Sequence, residues 1–142
     1  MLRLPNNALQ KALIKLLSEK LDKNTVAVYD FVPNEAVPPY ITLGAIVVND
    51  MGTKTEDCCK VNLQINIWSE YEGRYEINRI AENIISILCS QDGYMDLTAD
   101  GFVMESAKID QYEAYPEDGN GYNGVIIYEV QLRNLLASAK DI

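Results

Sequence analysis

The side chains that most often carry chemistry are few in this chain. There is no histidine, which removes the commonest general base and metal ligand and with it any Ser-His or Cys-His pair. Three cysteines are present. Cys58 and Cys59 are adjacent rather than spaced as Cys-x-x-Cys, and Cys89 lies far along the chain, so the set has neither zinc spacing nor a disulfide framework. This pattern suits synthesis in a reducing interior. Asp118, Asn120, Tyr122 and Glu129 reproduce the one-three-five-twelve spacing of a calcium loop. Tyrosine is a poor fifth ligand, Asn123 stands where the turn glycine belongs, and strand patterns flank the segment, so a flexible hairpin tip is the expected role. The carboxylate pairs Glu56-Asp57 and Glu117-Asp118 fall in polar loops with nothing nearby to raise a pKa for acid–base work. No glycine-rich phosphate cradle appears. These residues predict no enzyme, no cofactor and no bound metal.

The polar segments are held by strongly patterned ones. From Val61 the chain alternates strictly, with Val61, Leu63, Ile65 and Ile67 on one side and Asn62, Gln64, Asn66 and Trp68 on the other. That period of two predicts a half-buried strand. After a break at residues 69–73 the period becomes helical: Ile77, Ile80, Ala81, Ile84 and Leu88 share a face opposite Glu76, Arg79, Glu82, Asn83 and Ser86. A strand and a helix of this kind bury their apolar faces against one another. Ahead of them, Leu9, Leu13, Leu16 and Leu17 predict a first helix ending near Leu21, with Asn6 or Asn7 as cap and Lys11, Lys15 and Lys20 on the other side. Such a basic amphipathic helix can be a membrane or partner element, but a core helix with a solvated lysine face is the expected role.

Between the helices, residues 26–29 read as a short strand, and Pro33, Pro38 and Pro39 stiffen a loop. Residues 40–48 form a strand apolar on both faces, expected to be central or covered. Residues 49–57 form a polar tip longer than an ordinary hairpin loop, with Met51 as its one large apolar residue, which marks a candidate functional loop. After the second helix, Gln91-Asp92-Gly93 and Ala99-Asp100-Gly101 turn the chain, with a short strand expected at residues 94–98. The following strand, Phe102 to about Tyr115, is interrupted at Glu105 in the manner of a bulge. Residues 116–124 form a second polar loop, and Ile126, Tyr128, Val130 and Leu132 face one way in the closing strand. The fold class is therefore α+β: a mostly antiparallel sheet covered by two amphipathic helices.

At 142 residues the chain is expected to be one domain, 1–142, with residues 1–5 and 137–142 frayed. No apolar run approaches the roughly 18 residues of a membrane span, and the lysines within residues 9–21 do not suit a signal peptide. No membrane partner is expected. The net charge of −9 is uneven: residues 1–23 hold five basic and two acidic side chains, net +3, and the remainder seven and nineteen, net −12. An acidic body disfavours wrapping a phosphate backbone. It serves solubility, or repels DNA instead of holding it. Nine tyrosines stand against two phenylalanines. Tyr112, Tyr115, Tyr122 and Tyr128 crowd the last hairpin, where a protein interface or core packing can use them. The amide-rich face Asn62, Gln64, Asn66 and Trp68 can be solvated or can meet a neighbouring subunit.

In order and spacing these segments resemble the tail-completion proteins of long-tailed phages and prophages, also called tail terminators or head-to-tail joining proteins. The resemblance covers most of the chain. It rests on the leading helix, Pro39-Tyr40-Ile41-Thr42-Leu43-Gly44, Gly52-Thr53-Lys54-Thr55, Ile67-Trp68-Ser69, Gly73-Arg74, Ile77, Ile80-Ala81 and the apolar closing strand. It implies a non-enzymatic virion protein that forms a ring, usually of six copies, on a finished tail tube. That ring stops polymerisation, meets the head connector, and lets DNA through its opening without binding it. The implied partners are other copies of the chain, the major tail tube protein and the head connector or completion protein. The implied place is the head-proximal end of the tail, after assembly in the host cytoplasm. A tail-associated adaptor and a small-molecule or metal-binding α+β regulator are the competing readings. The expected assembly interface comprises Asp50, Met51, Thr53, Lys54, Glu56 and Asp57 in one loop, and Tyr115, Glu117, Asp118, Asn120 and Tyr122 in the other. Cys58-Cys59 and Glu117-Asp118 have no role that the resemblance transfers.

Overall fold

The computed structural model describes residues 3–53 and 56–136. Helix α1 (Asn6–Lys20) leads into β1 (Ala27–Tyr29), β2 (Tyr40–Asp50) and β3 (Cys58–Ser69); α2 (Tyr75–Cys89) then precedes β4 (Phe102–Pro116) and β5 (Tyr122–Asn134). The strands form one five-stranded sheet in the order β1-β2-β3-β5-β4. Only the β1–β2 pair is parallel; the other three are antiparallel. The architecture is the expected α+β.

The sheet's core face follows from the period of two. Val61, Leu63, Ile65 and Ile67 of β3 and Ile126, Tyr128, Val130 and Leu132 of β5 are all buried, in one cluster with Leu9, Leu13 and Leu17 of α1 and Ile77, Ile80, Ala81, Ile84 and Leu88 of α2. The matched faces of β3 and α2 therefore meet as the sequence requires. Each large apolar side chain buried this way contributes roughly 1.5–3 kcal/mol. Helix α2 comes close because Gly124 has no side chain: a Cβ there would lie 2.9 Å from Ile77. Both helices share that core, so the opposite sheet face carries no helix among the described residues. There Trp68 Nε1 donates to Thr42 Oγ1 (3.0 Å), and Gln64 donates to Asn66 Oδ1 (3.0 Å).

The structure corrects three local expectations. No asparagine side chain caps α1: Pro5 occupies the N-cap, and Asn6 begins the helix with a buried Oδ1 that has no hydrogen-bond partner among the described residues. Residues 94–98 form no strand. Short 3-10 helices at Gln91–Gly93 and Thr98–Asp100 flank an irregular stretch, because the Asp96 carboxylate takes both the amide and the hydroxyl of Thr98 while Met95 and Leu97 plug the core. Strand β2 is not central along its length. Three-residue β1 pairs only with residues 40–42, leaving Val47 on an outer edge at 51% exposure. By contrast, the bulge expected at Glu105 is present, and a second lies at Asp110. Both keep a long edge strand from offering a straight ladder.

Candidate functional site

The β2–β3 tip reads in sequence as an unstructured polar run, yet its backbone largely continues the ladder. Met51 N donates to Cys58 O and Thr53 N to Glu56 O, both at 2.8 Å. Asp50 Oδ1 accepts from Gly52 N (2.8 Å), and Thr53 Oγ1 accepts from Glu56 N (3.1 Å). Polar side chains bonding backbone two or three residues away give such a turn its shape without a core. Asp50, Met51, Thr53 and Glu56 are exposed at this tip; Lys54 lies outside the described residues. Asp57 behaves differently. It is 4% exposed. Its Oδ2 accepts from Asn134 Nδ2 (2.9 Å) and its backbone carbonyl from Asn134 N (2.8 Å). It anchors the tip to the end of β5 and presents nothing outward.

The neighbouring thiols are held in the protonated form by their surroundings. Burial, then the Asp57 carboxylate, pushes Cys59 up to about 11. Burial and then the Glu56 carboxylate also raise Cys58. Neither environment lowers the thiol pKa in the way that activates a nucleophilic cysteine.

The β4–β5 tip is shorter than its sequence reading, because β4 runs to Pro116 and β5 begins at Tyr122. Glu117 N donates to Gly121 O (3.1 Å) across it. Gly121 has φ +90°, and a Cβ there would lie 1.9 Å from Ser69 O, so only glycine lets the tip seat on the turn after β3. Around this contact, Glu72, Gly73, Pro116, Glu117, Asn120 and Tyr122 line a shallow groove. The Arg74 guanidinium stacks on the Tyr122 ring, 4.9 Å from its centroid, and Tyr115 Oη accepts from Asn123 Nδ2 (2.9 Å). Asp118 and Asn120 are exposed at the apex.

The last hairpin's tyrosines divide by depth. Tyr115 and Tyr122 stay at the tip, half-buried Tyr112 donates to Asn78 Oδ1 (2.8 Å), and Tyr128 lies inside the core. Glu129, seven residues beyond Tyr122 in extended strand, sits roughly 23 Å from the tip. There it pairs with Lys60 (3.9 Å) and Lys108 (3.6 Å). The calcium-like spacing thus does not converge in space.

The two candidate groups are not one site. Strand β3 connects them: Cys58 follows the first tip and Ser69 pairs with Tyr122 at the second. Its twelve residues separate the tips by roughly 36 Å at about 3.3 Å per residue. Each group sits at its own end of one stiff sheet. No local pattern of residues records this separation, since both loops look alike as polar runs.

Among the described residues no cluster of three His, Cys, Asp or Glu side chains can hold a metal, and no helix is long and apolar enough to cross a membrane. No curated protein matches the chain. A solved chain described as from the virion of a native gene transfer agent particle shares the fold, with a TM-score of 0.77 at 18% identity, over 91% of this chain and 97% of that one. The model of the family described as tail completion protein gp17 matches residues 11–129. The chain belongs to that family and is a structural protein of a phage tail.

Proposed function

We propose that the chain forms a ring, of six copies, on the head-proximal end of the tail tube, where it ends tube polymerisation and joins the tail to the head connector. The observation that carries this reading is the pair of polar tips about 36 Å apart at opposite ends of a single sheet. A joint between two different structures needs two contact regions held at fixed separation, and a hydrogen-bonded sheet provides it. In this reading one tip meets the tube and the other the connector. At the first, Met51 supplies an adaptable apolar contact, with Asp50, Thr53, Glu56 and Lys54 setting register. At the second, Tyr115, Glu117, Asp118, Asn120 and Tyr122 do the equivalent work. Asp57 acts by holding the first tip in place. DNA crosses the opening of the ring without being bound, in keeping with the net charge of −9. The complex assembles in the host cytoplasm and remains in the virion.

The test uses two variants in separate complementation experiments: one with the first tip shortened between Met51 and Asp57, the other Glu117→Lys with Asp118→Lys. Both are expected to fold. Electron microscopy is expected to show a different failed junction for each, with overlong tubes in one and capped but headless tails in the other. Normal-length tails joined to heads in both variants would refute the assignment of the two tips.

A further inference from the structure

The two lateral edges of the sheet differ in charge. At one edge α1 lies against β1. Its Lys11 and Lys15, one turn apart, are exposed and have no ion pair among the described residues. With Asn7, Gln10, Ile14 and Asp30 they line a groove. Gln10 fixes Asp30 through a hydrogen bond, and the next residue, Phe31, stands 87% exposed. Of the other basic residues in 1–23, Arg3 lies over Phe102 at the start of β4 and Lys20 pairs with Asp92, so Lys11 and Lys15 carry the positive charge of this edge. The opposite edge is β4. From residue 102 to 122, through β4 and its tip, there are five acidic side chains and one basic, net −4. Lys108 is taken up by Glu129 and Glu105 by Arg133. Asp110, the extra residue of the second bulge, and Glu113 are exposed, with no ion pair among the described residues. Exposed Tyr115 follows on the same strand.

We propose that these edges are the two halves of one interface between copies of this chain: the α1/β1 edge of one copy docks on the β4 edge of the next. This rests on the ring reading above and names the surface that makes the ring. The choice of a second copy follows from the charges. A two-fold contact would set lysines against lysines or carboxylates against carboxylates, which is repulsive. A head-to-tail contact pairs Lys11 and Lys15 with Asp110 and Glu113, and a head-to-tail contact is the kind that closes into a ring of several copies. Phe31 then leaves water against the tyrosine-bearing side of its neighbour, as an aromatic anchor at the middle of a contact does. The bulges of β4 keep the edges from fusing into a continuous sheet, so side chains set the register.

Two charge-reversed chains test this: Lys11→Glu/Lys15→Glu and Asp110→Lys/Glu113→Lys. All four positions are exposed, and unchanged melting temperatures would verify folding. Native mass spectrometry of the wild-type chain is expected to show a ring of uniform copy number. Each variant alone should lose it by at least about tenfold in ring fraction, since like-charged edges now face each other. An equimolar mixture should recover it as an alternating ring, because each variant's edges complement the other's. A wild-type ring that survives both reversals overturns the interface and leaves the ring standing. Loss in both variants without recovery on mixing also overturns the pairing. A wild-type chain that stays monomeric, alone and on isolated tail tubes, overturns the ring reading together with the interface.

Discussion

Tyr128→Phe should make this protein more stable. Tyr128 sits on β5 between Leu63 and Ile109, 1% exposed, and its hydroxyl is buried with no hydrogen-bond partner among the described residues. A buried, unmatched polar group costs about 1–3 kcal/mol, and phenylalanine fills the same space without it. At neutral pH the variant is therefore expected to gain about 1 kcal/mol in urea denaturation. Alkaline pH gives a second measure. Burial, with a smaller contribution from Cys89, pushes Tyr128 from 10.0 up to about 12. A raised folded-state pKa means that the neutral phenol's contribution is complete below about pH 10 and is lost as pH climbs toward about 12, because the unfolded chain ionises first. Near pH 11 the loss from this one group is about 1.4 kcal/mol. Cys59, raised from 9.0 to about 11, weakens the fold in the same direction over a lower window, but it does so equally in both proteins. The advantage of Tyr128→Phe should thus widen from about 1 kcal/mol at neutral pH to above 2 kcal/mol near pH 11. A loss of about 1 kcal/mol at neutral pH would show that the hydroxyl is satisfied and the reasoning wrong.

Three further substitutions address the core and the second tip. Ile65→Ala removes a fully buried side chain facing Leu43 and Ile126 and should cost about 2–5 kcal/mol by chemical denaturation; a loss below about 0.5 kcal/mol would mean the site collapses onto its cavity far more readily than packed interiors do. At the β4–β5 tip, Gly119→Ala and Gly121→Ala both place alanine at positive φ, a strain of about 1–2 kcal/mol. Only Gly121→Ala also drives a Cβ into Ser69 O, since nothing lies within 4 Å at Gly119. The second variant should melt distinctly lower than the first, and equal melting temperatures would indicate that the tip does not seat on the turn after β3.

Periodicity alone was sufficient for the α+β class, for the matched faces of β3 and α2, and for the bulge at Glu105. These are legible because burial of an apolar face imposes a repeat of two or 3.6 on neighbouring residues, and a break in the repeat marks where the ladder slips. The order of segments also carried the family resemblance. The outer edge of β2 was not legible: its residues are apolar on both sides, and only the shortness of β1 leaves Val47 uncovered. Nor was the fate of Asp57, identical in type to Asp50 but turned inward by Asn134, 77 residues away in sequence. Tyr128, by contrast, was legible: the strand's alternation sets it beside Ile126, Val130 and Leu132 and takes it from the tyrosine cluster into the core. The placement of the two polar tips at opposite ends, and of the lysines and unpaired carboxylates on opposite edges, depends on which strands are neighbours. Strand order is set by contacts between residues distant in the chain, chosen by how whole elements cover one another, and no local pattern of residues records that choice.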